Sequence, residues 1–319
     1  MRNILTFIVL LIATSAFAQP DQIPLVARSK YWLRLLHYHS ASFFRGPRSQ
    51  IDGEGFFFSP IGFKDPEAEL RASVEAFSKN NQIGKFKLHA QCAFPERYRF
   101  LKEALKLTIP DVPCPKVDDF LSRFKAKSAT LVFSSAYPNN PGSMFGHTFL
   151  RINSTEGTDE KKLDLLDYGI SFAAAVGEDA NPFAFLALGL TGGYRGQFSM
   201  LPYYAKVSEY INSESRDIWE YDLNISAEQT RRMILHAWEL ETNSYLDYYF
   251  FDENCAYELL ALLEIARPDW DLLDFPIYVI PAETIKKVTG IPGAVTRVKF
   301  RPSLRKKMLA QVKDRKSVV

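Results

Sequence analysis

The hydrophobic period changes near Ser128, and that change constrains the fold more than any other feature of this 319-residue chain. Before it, apolar residues recur at helical spacing. Residues 26–44 (VARSKYWLRLLHYHSASFF) read as an amphipathic helix. Residues 65–80 read as another, with Asp65 as cap and Pro66 at the first helical position, and residues 94–108 as a third. Between the first two lies an irregular Gly/Pro/Phe-rich stretch, residues 46–63. After Ser128 the period is two. ATLVF is a short apolar strand, and SSAYPNNPGSMFG is dense in turn residues. HTFLRIN alternates, with Thr148, Leu150 and Ile152 on one face and His147, Phe149 and Arg151 on the other. LDLLDYGISF is a second strand, joined to it through the polar turn STEGTDEKK as a hairpin. DIWEYDLN is strand-like too. A helix then runs from a Ser226 cap to about Asn243, and a last one ends at Pro268. The sequence holds no internal repeat and no low-complexity segment. Helices followed by a small sheet flanked by helices is an α+β order.

The opening MRNILTFIVLLIATSAFAQP combines a positive start, an apolar run too short to span a bilayer, and an A-x-A site at Ala16–Ala18. It reads as a secretory signal peptide, with the mature chain starting near Gln19 and an exported, periplasmic destination. No other segment is long and apolar enough to span. The expected organisation is a signal peptide (1–18), a mostly helical region (19–125), a catalytic core (126–300) and a basic tail (301–319). Loss of the leader lowers the formal charge from +2 to +1, so no global field attracts nucleic acid. The stretch from Arg297 to Val319 is locally basic; it could rest on anionic lipid headgroups or be a solvated terminal helix.

An oxidising compartment pairs cysteines. Cys92 and Cys114 lie close together in loop-rich segments and are expected to form a disulfide, which leaves Cys255 alone. In YYFFDENCAYELLALLE, the residues Ala256, Leu259, Leu260 and Leu263 form a core-facing stripe, and Asp252 or Asn254 can cap the helix. Cys255 then falls in the first turn, where free N–H groups and the helix dipole favour a thiolate and can bind an oxyanion. That placement makes it a candidate nucleophile. Of the five histidines, His147 follows Gly146 at the start of a strand and is the candidate base. His37, His39 and His236 sit in helical segments and read as packing residues. A third group should orient the imidazole. Pairing Arg151 with Asp164 across the hairpin puts Tyr168 beside His147; a slip of one brings Asp167 there instead. Tyr168 is the reading adopted. The cysteines and histidines show no metal-ligand spacing, TGGYRG lacks the lysine and context of a P-loop, and no cofactor is expected.

Histidine on a strand, a second strand, then NC opening a helix resembles the circularly permuted branch of the papain-like, NlpC/P60-type fold. Longer stretches, QCAFPERYRFLKEAL, MFGHTFLRIN, LLDYGISFAAAVGED and YYFFDENCAYELLALLE among them, resemble the Lnb N-terminal periplasmic domain family over roughly residues 25 to 300. The resemblance implies a lipoprotein N-acyltransferase that moves a fatty-acyl chain from phospholipid to the α-amine of a diacylglyceryl lipoprotein, with His147 and Cys255 as the catalytic pair. Lipid access would come from the domain surface, with NPFAFLALGLTGGY and FFFSP as candidates. The rivals are a peptidoglycan amidase or endopeptidase using the same pair, and a non-catalytic envelope binding factor.

Overall fold

Ser29 splits the first expected helix. In the computed structural model, which describes residues 22–38, 48–53, 55–137, 146–155, 166–175, 182–249, 254–275 and 279–317, the chain opens with α1 (Ile23–Ala27) and α2 (Lys30–Leu35). The Ser29 side chain accepts from Trp32 N and starts α2 afresh, as serine at an N-cap does. His37 follows at φ +51°, and residues 39–44 of the expected helix, His39 included, lie outside the described residues. Next comes α3 (Pro66–Ser78), capped by Asp65, whose side chain accepts from Glu67 N and Ala68 N. A two-residue pair, β1 (Gln82–Ile83) and β2 (Leu88–His89), leads to α4 (Ala90–Ala93), α5 (Pro95–Ala104) and α6 (Pro115–Ser122).

Aromatic rings hold these helices together around one cation. Phe56 packs edge-on against Phe94, and Phe58 against Phe77 and Phe94. The FFFSP run is therefore core, with Phe56 fully buried, and is no lipid-facing surface. Arg97 threads the cluster, with its guanidinium 4.2 Å from the Phe94 ring centroid and 4.5 Å from that of Phe56. It donates to Glu69 Oε1 at 2.7 Å and to the Phe56 carbonyl at 3.1 Å. Cys92 and Cys114 form the expected disulfide, which ties α4 to the start of α6.

The period change at Ser128 marks the first strand of a seven-stranded antiparallel sheet. Its strands are β3 (Ser128–Ser134), β4 (His147–Asn153), β5 (Tyr168–Ala174), β6 (Tyr194–Pro202), β7 (Ile218–Leu223), β8 (Leu246–Tyr248) and β9 (Val295–Arg301), in the order β8-β6-β5-β4-β3-β7-β9. Between β5 and β6 runs α7 (Pro182–Thr191). Between β6 and β7 come α8 (Tyr203–Val207) and a π-helical turn, Ser208–Ser213. Then follow α9 (Ala227–Asn243), α10 (Cys255–Ala266), α11 (Pro281–Thr289) and α12 (Leu304–Ser317). Ser226 closes a capping box with Gln229 at the start of α9. The architecture is α+β.

The β4–β5 hairpin forms, in a register five residues from the expected one. Leu150 faces Ile170, Arg151 faces Gly169 and Ile152 faces Tyr168. The charge that was to set the register is satisfied elsewhere. Arg151 is 3.2 Å from Glu220 and 3.6 Å from Asp222, both on β7, and 3.6 Å from Asp167. Two of its three partners come across β3 from a strand about 70 residues later in sequence, beyond the reach of a search confined to the hairpin; Asp164 itself lies outside the described residues.

The sheet's two faces carry different layers. Thr148, Leu150 and Ile170 point to the side on which α10 packs against β4 and β5. Phe149 points to the other side, where its ring lies 6.0 Å from Tyr203 and 5.8 Å from Tyr210.

Candidate active site

Asn254 sets the direction of α10. Its side-chain oxygen accepts from Ala256 N at 2.9 Å and Tyr257 N at 3.3 Å, and its amide donates to the Val279 carbonyl at 2.6 Å. The cap thus belongs to Asn254; Asp252 lies outside the described residues. Cys255 is consequently the first residue of the helix, unpaired and buried. Two of the N–H groups expected to hold an oxyanion are taken by the cap. The Cys255 N–H, which no helix carbonyl can reach, meets the Tyr248 hydroxyl oxygen.

The helix start meets the beginning of β4. The Cys255 sulfur lies against the backbone N–H and the hydroxyl of Thr148, the hydroxyl of Tyr248 and the N–H of Ala256. Burial pushes the thiol above its ordinary range, and these donors offset it only in part, the Thr148 N–H foremost. The expectation of a thiolate at neutral pH is corrected here: the helix position is as the sequence implied, but at 3% exposure desolvation outweighs the dipole. The Thr148 hydroxyl, buried beside the sulfur, meets no hydrogen-bond partner of good geometry among the described residues.

His147 is the neighbour of Thr148, so its side chain starts from the opposite face of the strand. Its ring stacks 6.4 Å from Phe149 and lies 6.2 Å from Tyr210. Among the described residues no hydrogen bond joins it to Cys255. Burial pushes its pKa down to about 3, with the cations Lys206 and Arg216 adding to the effect. The imidazole is therefore neutral at physiological pH and able to accept a proton. Tyr210 links the two groups: its ring neighbours His147, and its phenol is raised by burial first and, among lesser causes, by the charge on Cys255. Gly146 precedes at φ +91°, where a Cβ would sit 2.9 Å from the Ser134 carbonyl and 2.7 Å from the Phe133 ring. No other residue fits without displacing β3, so the glycine fixes where His147 enters the strand.

Tyr168 is not part of this site. It pairs with Ile152 and Pro202, five residues along β4 from His147, and its ring packs 5.3 Å from Phe124. Asp167 is equally remote; it accepts from Ser154 N and Oγ at 3.0 and 2.7 Å. The polar groups that do surround the thiol, Thr148 and Tyr248, escaped the sequence reading. Tyr248 stands on β8 in register with Tyr194, two strands removed from β4, and meets the sulfur at the start of α10, seven residues further along the chain.

Residues 116–290, more than half of the chain, match the family described as the Lnb N-terminal periplasmic domain. The chain belongs to this family. Residues 25–104 match a domain of unknown function, DUF7843. No curated protein and no solved structure matches the chain. The Lnb-type segment contains β3, β4 and α10, and with them both His147 and Cys255, whereas β9 and α12 lie beyond it. Among the described residues no helix is long and apolar enough to cross a membrane, and no group of histidines, cysteines and carboxylates could hold a metal ion.

A second buried polar chain runs one turn below the cysteine. Glu258 lies 3.4 Å from His37 Nδ1, His37 Nε2 is 3.1 Å from His236 Nε2, and His236 Nδ1 is 2.8 Å from Glu239. Glu239 also accepts from Glu96 N and Arg97 N at the start of α5. Burial pushes Glu239 up to about 7 and holds His236 well below its ordinary range. The chain binds α9, α10 and the end of α2 together, so His37 and His236 are packing residues, as expected, but polar ones.

Two outcomes follow from this geometry. Asn254→Ala removes the one oxygen that accepts both cap hydrogen bonds and leaves the Val279 carbonyl without its donor; urea unfolding should register a loss of about 1–2 kcal/mol. The second concerns pH. Because the folded-state pKa of His147 is depressed, the unfolded chain takes up a proton below about pH 6.5 that the folded chain refuses until about pH 3. Stability is present above that window and falls through it on acidification, by about 1.4 kcal/mol per pH unit. His147→Gln should flatten this part of the acid limb in pH-dependent urea melts; an unchanged limb refutes the assignment.

Proposed function

We propose that this Lnb-family chain is a cysteine-dependent acyltransferase acting on lipoproteins, with phospholipid as acyl donor and the N-terminal amine of a diacylglyceryl lipoprotein as acceptor. The observation that carries the reading is the delivery of Cys255, at the first position of α10, onto the Thr148 N–H, one residue from His147. A permuted papain-like core is the fold this reading implies. The His147 imidazole turns from its stack on Phe149 and Tyr210 toward the sulfur and takes the thiol proton. The sulfur attacks the ester carbonyl, and the oxyanion is held by the Thr148 N–H and the Tyr248 hydroxyl, joined by the Cys255 N–H as it leaves the tyrosine oxygen. Collapse expels the lysophospholipid alkoxide, which takes the proton from His147 and leaves a thioester. The lipoprotein amine then attacks, His147 takes its proton, and the second tetrahedral intermediate releases the amide as the sulfur regains a proton.

Burial of both groups supports an amine rather than water as the resolving nucleophile, because bulk water has poor access to the thioester. The test is intact-mass spectrometry of protein incubated with phospholipid and trapped at acid pH. The expected result is a fatty-acyl mass shift, hydroxylamine-sensitive, that is discharged faster by a lipopeptide amine than by buffer. Discharge by buffer alone makes the protein a hydrolase. Absence of any adduct, with no cleavage of peptidoglycan fragments, leaves a binding role.

A further inference from the structure

The row of paired residues His147–Ser134–Ile218–Arg301 crosses the sheet from β4 through β3 and β7 to β9. Arg301, the last residue of β9, therefore stands at the same end of the sheet as His147, and α12 leaves from that end. So does α7. It joins the end of β5, at Ala174, to the start of β6, at Tyr194, where Gly196 faces Ala174 and Tyr248 faces Tyr194. The two helices thus flank the end that carries His147, Cys255 and Tyr248.

Both helices expose apolar side chains there. On α12 every residue from Leu304 to Val312 is exposed. Leu304, Met308 and Val312 recur at i, i+4, i+8 with Leu309 alongside, and the last three are 51–59% exposed. Leu188 and Leu190 of α7 are exposed as well. The start of α12 is anchored, since Ser303 donates from its N–H to Asp217 and Lys306 pairs with Asp217 at 2.5 Å. Beyond the anchor, a helix of this length without packing has little stability in water and needs an apolar phase for its stripe. Its charge says which phase. The α12 sequence LRKKMLAQVKDRKS holds six basic residues and one acidic, and Arg305 and Lys307 form no ion pair among the described residues. Long basic side chains beside an apolar stripe fit an anionic lipid surface, where the stripe enters the acyl boundary and the cations reach the headgroups.

We propose that α12 docks this protein on an anionic phospholipid bilayer and turns the His147–Cys255 end of the sheet toward it. The proposal concerns binding alone and does not depend on acyl transfer.

The experiment is co-sedimentation of the exported protein, full chain and Cys255→Ala alike, with vesicles of phosphatidylglycerol and phosphatidylcholine and with phosphatidylcholine alone. Both proteins should bind the anionic vesicles, and far more weakly the neutral ones. Met308→Asp/Leu309→Asp/Val312→Asp should lower the anionic-vesicle affinity more than tenfold, and Arg305→Glu/Lys307→Glu about tenfold or more, the latter with no effect on neutral vesicles. All these positions are exposed, so thermal unfolding should not change. Failure of wild type to bind anionic vesicles overturns the proposal, as does equal binding by the α12 variants. Concentration-dependent self-association that the triple variant abolishes, without vesicle binding, would assign the face to a second copy instead.

Discussion

Cys255→Ala should form no acyl adduct on any timescale, and His147→Ala should form it 10²–10⁴-fold more slowly than wild type, the range a positioned general base contributes. The size of the second effect follows from the electrostatics. Burial keeps Cys255 a neutral thiol and His147 a neutral imidazole, so no preformed ion pair supplies the nucleophile. The proton must move during attack, and among the described residues around the sulfur, Thr148, Tyr248 and Ala256, none is a base. A site of this kind has a distinct pH profile. The rate of adduct formation should be nearly flat between about pH 5 and 8: His147 stays unprotonated down to about pH 3, and the thiol ionises only above its ordinary range. A thiolate site would instead lose rate as its cysteine protonates. Iodoacetamide should alkylate Cys255 more slowly than it does a model thiol. Tyr168→Phe should leave adduct formation unchanged, because Tyr168 packs against Phe124, away from the sulfur. Rapid alkylation, or a steep acid limb in the rate near pH 6, would overturn the neutral-pair mechanism.

Local chemistry in the sequence located most of the elements. Asp65 before Pro66, Ser226 before Gln229 and Asn254 before Cys255 each mark a helix start, because a short polar side chain there satisfies N–H groups that no helix carbonyl can. Alternation in HTFLRIN gave the strand and its two faces. What the sequence withheld was non-local. Arg151 found Glu220 and Asp222 on β7 beside Asp167 of its own hairpin, and the register follows a different set of pairs from the one its charge suggested. Tyr248 reaches the thiol from only seven residues upstream, but how the chain between β8 and α10 turns back is not written in either element. Depth was hidden too: helix position is a local property and predicts a low thiol pKa, but burial is set by everything packed above it and here acts more strongly in the opposite sense.

Arg97→Met should destabilise the protein by about 3–5 kcal/mol, measured by urea unfolding at neutral pH, although Arg97 lies far from the thiol in sequence and on a different helix. The guanidinium is fully buried, and it is the cation paired with the equally buried Glu69. Methionine matches much of its volume and keeps contact with Phe56 and Phe94, so the loss is electrostatic rather than a cavity. It falls on Glu69, whose carboxylate would remain in the aromatic cluster with only the N–H groups of Phe58 and Ser59 and the Ser73 hydroxyl. Burial already raises the Glu69 pKa, and Arg97 is the first group that opposes the rise. Without Arg97 the carboxyl should take a proton in the folded state at higher pH. A carboxyl with a raised folded pKa favours the folded state below that pKa and loses the contribution as pH climbs through it, so the penalty of Arg97→Met should shrink on acidification. Glu69→Gln in the same chain removes the charge and keeps one of the two acceptor oxygens that Phe58 N and Ser59 N use, setting an amide NH2 against the other N–H. The double variant should therefore be more stable than Arg97→Met alone at neutral pH. If the two are equal, the cost lies in lost cation–ring contacts rather than in a stranded carboxylate, and the cluster is held by its aromatic rings.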